Sequence, residues 1–125
     1  MIEYNPNPLG KKVGDCTVRA ISKVLGESWE KTYVGLCMQG FLMCDIPNAN
    51  SVWGAYLRSK GFKRNVISND CPDCYTVNDF CREHPKGKYV LALSGHVVAI
   101  CNGDFYDTFD SGEDRPIYYW YKEEE

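Results

Sequence analysis

The stretch HVVAICNGDFYDTF, residues 96–109, constrains the fold more than any other part of the chain. Two runs rich in apolar, β-branched and aromatic residues flank Asn102-Gly103. A two-residue hairpin turn of type I′ needs positive φ at both positions, and Asn-Gly adopts that geometry with little strain. The chain is therefore expected to fold back on itself here as an antiparallel pair. The turn length sets the register: Cys101 opposite Asp104, Val98 opposite Asp107, His96 opposite Phe109. Opposed residues and their diagonal neighbours share a face of the sheet. Asp107 thus falls beside His96, one diagonal step away. A turn one residue longer would place Asp110 there instead.

The rest of the pattern fits around this hairpin. KYVLAL, ahead of Ser94-Gly95, reads as the preceding strand. PIYYWY reads as an edge strand with one buried face, and FKRNVIS as a short strand. Upstream lie three helical segments. The first runs from about Asp15 to Leu25, with Val18, Ile21 and Leu25 on one stripe, Asp15 as N-cap and Gly26 as stop. The second follows Ser28, carries Trp29, Tyr33 and Leu36 on one stripe, and ends near Gly40. The third starts behind Asn50 or Ser51 and stops at Gly61. Trp29 and Trp53, both on helical stripes, are expected in the core. A short fourth helix follows Thr76, where TVND resembles a capping box, and closes at His84-Pro85. Residues 1–14, rich in Pro, Gly and Asn, read as an extended lead-in. Helices first and an antiparallel sheet second make the class α+β, in a single domain over residues 1–125.

Charge and hydropathy narrow the partners. The formal net charge is −3 and the pI about 5.4, whereas binding nucleic-acid phosphates needs a basic face. No nucleic-acid partner is expected. No apolar run is long enough to span a membrane, and the start, MIEYNPNPLGKK, lacks the apolar core of a secretory signal. The expectation is a cytoplasmic chain without membrane contact. Its seven cysteines, an odd number, should then be thiols, ligands or a nucleophile rather than a disulfide frame. The sequence assigns no oligomeric state.

Cys16 sits at the first position of the first helix, and His96 opens a strand beside the one carrying Asp107. A thiol, an imidazole and a carboxylate are the parts of nucleophilic cysteine chemistry: nucleophile, proton carrier and the group that fixes the ring's tautomer. Moving a thiol from pKa near 8.5 to near 4 takes about 6 kcal/mol. A helix N-terminus supplies about 0.3–1 kcal/mol, at most about 2. Asp15 opposes the shift unless it is engaged by Arg19 at i+4. A reactive Cys16 therefore requires His96 in contact. The competing reading is that Cys16 packs in the core, as most free cysteines do.

GDCTVRAISKVLG, SGHVVAI and YDTFD together resemble the papain-like cysteine peptidase superfamily. The likeness is to its small bacterial and phage branches, related to bacteriocin-processing peptidases, and covers about residues 5–110. It implies a papain-like arrangement, a Cys-headed helix on an antiparallel sheet, with Cys16 as nucleophile, His96 as general base and acid, and Asp107 as orienting carboxylate. It further implies hydrolysis of a peptide or isopeptide bond in a protein or peptide substrate, without a cofactor. Where that family usually has an oxyanion-binding Gln, this chain has Gly10, and the nearby amides are Asn5 and Asn7. A scaffold that has lost catalysis and binds through its groove remains the alternative.

A second constellation, CPDCYTVNDFCREH, spaces Cys71, Cys74, Cys81 and His84 as four soft ligands that could close a tetrahedral zinc site. This would make an interaction domain stabilised by zinc. The other reading places Cys81 on the apolar stripe of the fourth helix with Val77 and Phe80. His84 then sits at the helix C-terminus and residues 71–74 form a tight turn.

Overall fold

A computed structural model describes residues 1–67 and 74–122. Among these residues ten elements follow one another: β1 (Ile2–Glu3), α1 (Cys16–Leu25), α2 (Trp29–Met43), α3 (Asn50–Ser59), β2 (Lys63–Val66), α4 (Val77–Glu83), β3 (Lys88–Leu93), β4 (His96–Cys101), β5 (Asp104–Asp107) and β6 (Pro116–Tyr121). Six strands form one sheet in the order β1-β5-β4-β3-β6-β2. The fold is α+β, four helices on a mixed sheet.

The Asn-Gly hairpin has the expected register. Cys101 pairs with Asp104, Ile100 with Phe105 and Ala99 with Tyr106. Both turn residues have positive φ, 50° at Asn102 and 83° at Gly103. Ser94-Gly95 joins β3 to β4 in a second tight hairpin, with Leu93 opposite His96. His96 and Asp107 thus stand at strand ends on the same rim of the sheet.

Three expectations about the sheet are corrected. It is mixed, because Ile2 and Glu3 of the lead-in pair in parallel with Tyr106 and Asp107. A two-residue strand among Pro and Asn carries no periodicity to betray it. PIYYWY is an interior strand, hydrogen-bonded to β3 on one side and β2 on the other. Side-chain alternation reports which face is buried and is silent on whether both backbone edges are paired. The return strand of the main hairpin stops at Asp107 rather than running to Phe109.

The sheet is buried on both faces, which explains why its central strands read as continuous apolar runs. On one face Val90, Ala92, Val97, Ala99 and Trp120 pack against Val18 and Ile21 of α1 and Trp53 and Leu57 of α3. On the other, Leu91, Leu93, Val98, Ile100 and Phe105 pack against Val77, Phe80 and Cys81 of α4. α2 lies outside, against α1 and α3. Helix ends follow the sequence signals. Ser28 accepts from the Lys31 N–H, Gly26 closes α1 in the left-handed region, and Thr76 and Asp79 make the full capping box. Two ends depart from them: Asp15 precedes α1 but makes no side-chain cap, and α2 runs past Gly40 to Met43, closing at Cys44 in the left-handed region. Among the described residues no helix is long and apolar enough to cross a membrane.

Candidate functional site

α1 packs its first turn against the start of β4, which brings Cys16 to His96 at one end of the sheet. Cys16 is half-buried. Burial opposes ionisation of its thiol, but a hydrogen bond and positive charge from His96, the Val97 N–H and the Thr17 hydroxyl together hold it below the ordinary thiol range. Burial likewise disfavours a charged His96. Its hydrogen bonds to Asp107 and Cys16, and their negative charge, outweigh that and push it up to about 9. His96 Nε2 donates to Asp107 Oδ2 at 2.6 Å, so Nδ1 is the ring nitrogen left for the thiol. Both shifts favour a thiolate–imidazolium pair at neutral pH.

Asp107 is almost fully buried and heavily partnered. Besides His96 it accepts from the Ser111 hydroxyl at 2.7 Å, from the Thr108 N–H at 2.8 Å and from Arg19 Nη2 at 3.2 Å. Burial pushes its carboxyl up, but these donors hold it below the usual carboxylate range. Asp110 instead accepts from the Gly112 N–H. The register of the hairpin decides between the two carboxylates, as the two-residue turn required.

Arg19 is where sequence reasoning fell short. Its i+4 pairing with Asp15 was expected and is present. Its second arm, to Asp107 on β5, was not foreseen. The guanidinium is buried, only 7% exposed, and ties the helix carrying Cys16 to the carboxylate that holds His96. Asp15 also accepts from Trp29 Nε1 at 2.9 Å, so Trp29 is a half-buried donor at the site rather than a core filler. A chain of charges, Asp15–Arg19–Asp107–His96–Cys16, therefore runs through the first turn of α1. Engaging Asp15 in this way directs its charge to Arg19 and Trp29 and away from the thiol. Its neighbours on the helix, Asp15, Cys16, Ser22 and Lys23, are mostly polar, so the local pattern carries no signal of its burial.

Cys16 and His96 line a cavity of about 450 Å³ whose walls include Asn48, Asn50, Trp53, Ser94 and Tyr118. A second cavity of about 460 Å³ shares Gly14, Thr17 and Asn48 with it and extends to Lys11, Trp29, Tyr33 and Pro47. A cleft thus crosses the N-terminus of α1. Asp15 makes no side-chain cap to the first-turn N–H groups of α1 there.

The predicted oxyanion amides lie elsewhere. Asn5 Nδ2 donates to the Gly10 and Lys11 carbonyls and closes the lead-in loop. Asn7 Oδ1 accepts from the Leu9 and Lys11 N–H groups, and Asn7 lines the second cavity, not the one with Cys16. Asn50, which sequence reasoning passed over as a helix start, lines the Cys16 cavity. Its Oδ1 accepts from Trp53 Nε1 at 3.0 Å, so the amide oxygen is engaged and Nδ2 is the atom that could donate.

The zinc constellation does not assemble among the described residues, and no group of three His, Cys, Asp or Glu there is placed to hold a metal. Cys71 lies outside them. Cys74 is disulfide-bonded, which corrects the expectation of thiols throughout. The Cys81 thiol is buried in the α4 core, and burial with the charge of Asp104 pushes it up to about 11. His84 Nδ1 donates to the Phe80 carbonyl at 2.9 Å while its ring stacks on Phe80.

Comparison with family models, characterised proteins and solved structures finds no match.

Proposed function

We propose that this chain is a cysteine-dependent acyl hydrolase of papain-like arrangement, cleaving a peptide or isopeptide bond in a protein or peptide substrate. The observation that carries the reading is the position of His96. It is held by Asp107 at 2.6 Å on one side and bonded to a Cys16 whose thiol is lowered on the other. A core cysteine needs neither an imidazole nor a buried carboxylate behind it.

In the proposed reaction the Cys16 thiolate attacks the substrate carbonyl carbon. The electron pair of the C=O moves to oxygen, and the Cys16 N–H and Asn50 Nδ2 donate to that oxyanion. Collapse reforms the C=O and breaks the C–N bond, and the His96 imidazolium gives its proton to the departing amine. Water then attacks the resulting thioester as His96 takes one of its protons. The carboxylic acid leaves and the Cys16 thiolate returns. Asp107 keeps Nδ1 aimed at the sulfur throughout and stays ionised.

The test is acylation by p-nitrophenyl acetate followed by intact-mass and peptide mapping. The expected result is a burst of nitrophenol with an acetyl group on Cys16, absent in His96→Ala. Acetylation spread over the exposed thiols, with Cys16 not preferred, would overturn the proposal.

A further inference from the structure

The second cavity, of about 460 Å³, takes no part in the reaction so far, although it reaches Asp15 and Thr17, the chain neighbours of Cys16. Its walls are mostly apolar: Val13, Val18, Leu36 and Pro47, with the rings of Trp29 and Tyr33. Those rings stack 5.0 Å apart and 18° from parallel, and the Trp29 indole is fixed by its bond to Asp15. A paired aromatic wall suits an aromatic guest, which packs on it offset or edge-on. The volume falls within the range of about 300–1,000 Å³ usual for sites that enclose a small ligand. Among the described residues the charged groups on the wall are Asp15 and Lys11. Asp15 is engaged by Arg19 and Trp29, so a guest meets the positive charge of Lys11. The loop that carries Lys11 is tied down: its N–H donates to Asn7 Oδ1 and its carbonyl accepts from Asn5 Nδ2. The two amides that lie outside the Cys16 cavity thus hold the wall of its neighbour.

Proton transfer decides which half of a substrate comes here. His96 gives its proton to the departing amine, so the amine half lies on the His96 side of the Cys16 cavity, with Ser94 and Gly95. The acyl half extends from Cys16 away from the imidazole. Gly14, Thr17 and Asn48 line both cavities, whereas Ser94, Gly95 and His96 line only the one with Cys16. A Cβ at Gly14 would meet nothing within 4 Å, so that side of the passage between them is clear. We propose that the second cavity binds an aromatic side chain of the substrate, carried by the residue whose carbonyl Cys16 attacks, and that Lys11 disfavours basic side chains there. The inference rests on the proposed acyl chemistry and gives it a substrate class.

The p-nitrophenyl esters of N-acetylglycine, N-acetylphenylalanine and Nα-acetyllysine test it. Nitrophenolate release and the mass of the Cys16 peptide give the acylation rate, and each rate is divided by that ester's rate with N-acetylcysteine. In wild type the phenylalanine ester is expected to acylate Cys16 about 10- to 100-fold faster than the glycine ester, the usual effect of burying a large apolar side chain. The lysine ester should be no faster than the glycine ester. Tyr33→Ala should lower the phenylalanine-to-glycine ratio by about fivefold or more. Lys11→Glu should raise the lysine-to-glycine ratio by about fivefold or more. Both residues are exposed, so both variants should fold. Phenylalanine and glycine esters that acylate Cys16 within about twofold of each other overturn the inference and leave the proposed activity standing. So does a phenylalanine preference that Tyr33→Ala does not reduce, or a lysine-to-glycine ratio that Lys11→Glu does not raise. No acylation of Cys16 by any ester overturns the activity itself and, with it, the assignment of this cavity to the acyl half.

Discussion

Replacing Arg19 with Met tests whether the charged chain beneath the site holds it together. Methionine keeps the length and apolar stem of arginine and removes the guanidinium. The side chain is 7% exposed, and its two carboxylate partners are 5% and 1% exposed. Asp107 retains His96, Ser111 and the Thr108 N–H, so the loss falls mainly on Asp15, which among the described residues keeps only Trp29 Nε1. Breaking a buried ion pair by removing one partner costs about 3–5 kcal/mol, because a charge is left buried without compensation. For a chain of 125 residues that corresponds to a fall in Tm of roughly 10–20 °C. Adding Asp15→Asn should recover about half or more of the loss, since the uncompensated charge is then gone. Urea denaturation of wild type, Arg19→Met and the double variant measures all three values. An Arg19→Met protein within about 1 kcal/mol of wild type would refute the reasoning. So would a double variant whose losses simply add.

The proton linkage of the pair gives a second expectation. His96 is raised from an ordinary 6.5 to about 9 and Cys16 is lowered, so over that range the folded pair binds one proton more at His96 and one fewer at Cys16. Wild-type stability should therefore be nearly flat with pH across the range, whereas Cys16→Ser keeps only the histidine half. Its stability should be full below about pH 6.5 and fall by roughly 1–3 kcal/mol as pH rises toward 9; equal pH slopes in the two proteins would contradict this. Asp107→Asn should let His96 fall back toward 6.5 and slow Cys16 alkylation at pH 6 at least tenfold, read by mass spectrometry. Asn50→Ala should lower the acylation rate by about 10- to 1000-fold with little change in Cys16 alkylation, because an oxyanion donor acts on the substrate and not on the thiol. Asn5→Ala should leave both rates unchanged.

The parts of the site that sequence made legible are those set by local rules. A two-residue turn fixed the register of β4 and β5, and that arithmetic placed Asp107, not Asp110, beside His96. Asp15, read as N-cap, put Cys16 at the first position of α1, and the helix does start there although the Asp15 side chain makes no cap. What was hidden depends on contacts between distant segments. Arg19 looked like one half of a local i+4 pair, and nothing in its neighbourhood announced Asp107, 88 residues away. Asn50 became a candidate donor only through the α2–α3 connection, which carries it to the cavity. Ile2–Glu3 pairs with β5 through backbone groups that every residue has, so its composition held no trace of the strand. The exposed face of α2 was partly visible, since its apolar residues crowd more than one stripe. Which stripe faces inward was decided by packing on α1 and α3.

The central claim is that Cys16 and His96 form an ion pair, and alkylation by iodoacetamide followed over pH and read cysteine by cysteine tests it most directly. Wild-type Cys16 is predicted to react well below pH 7, ahead of the other reduced cysteines, and to lose that lead in His96→Ala. A Cys16 that reacts only near pH 8.5, or that is indifferent to His96→Ala, would contradict the account.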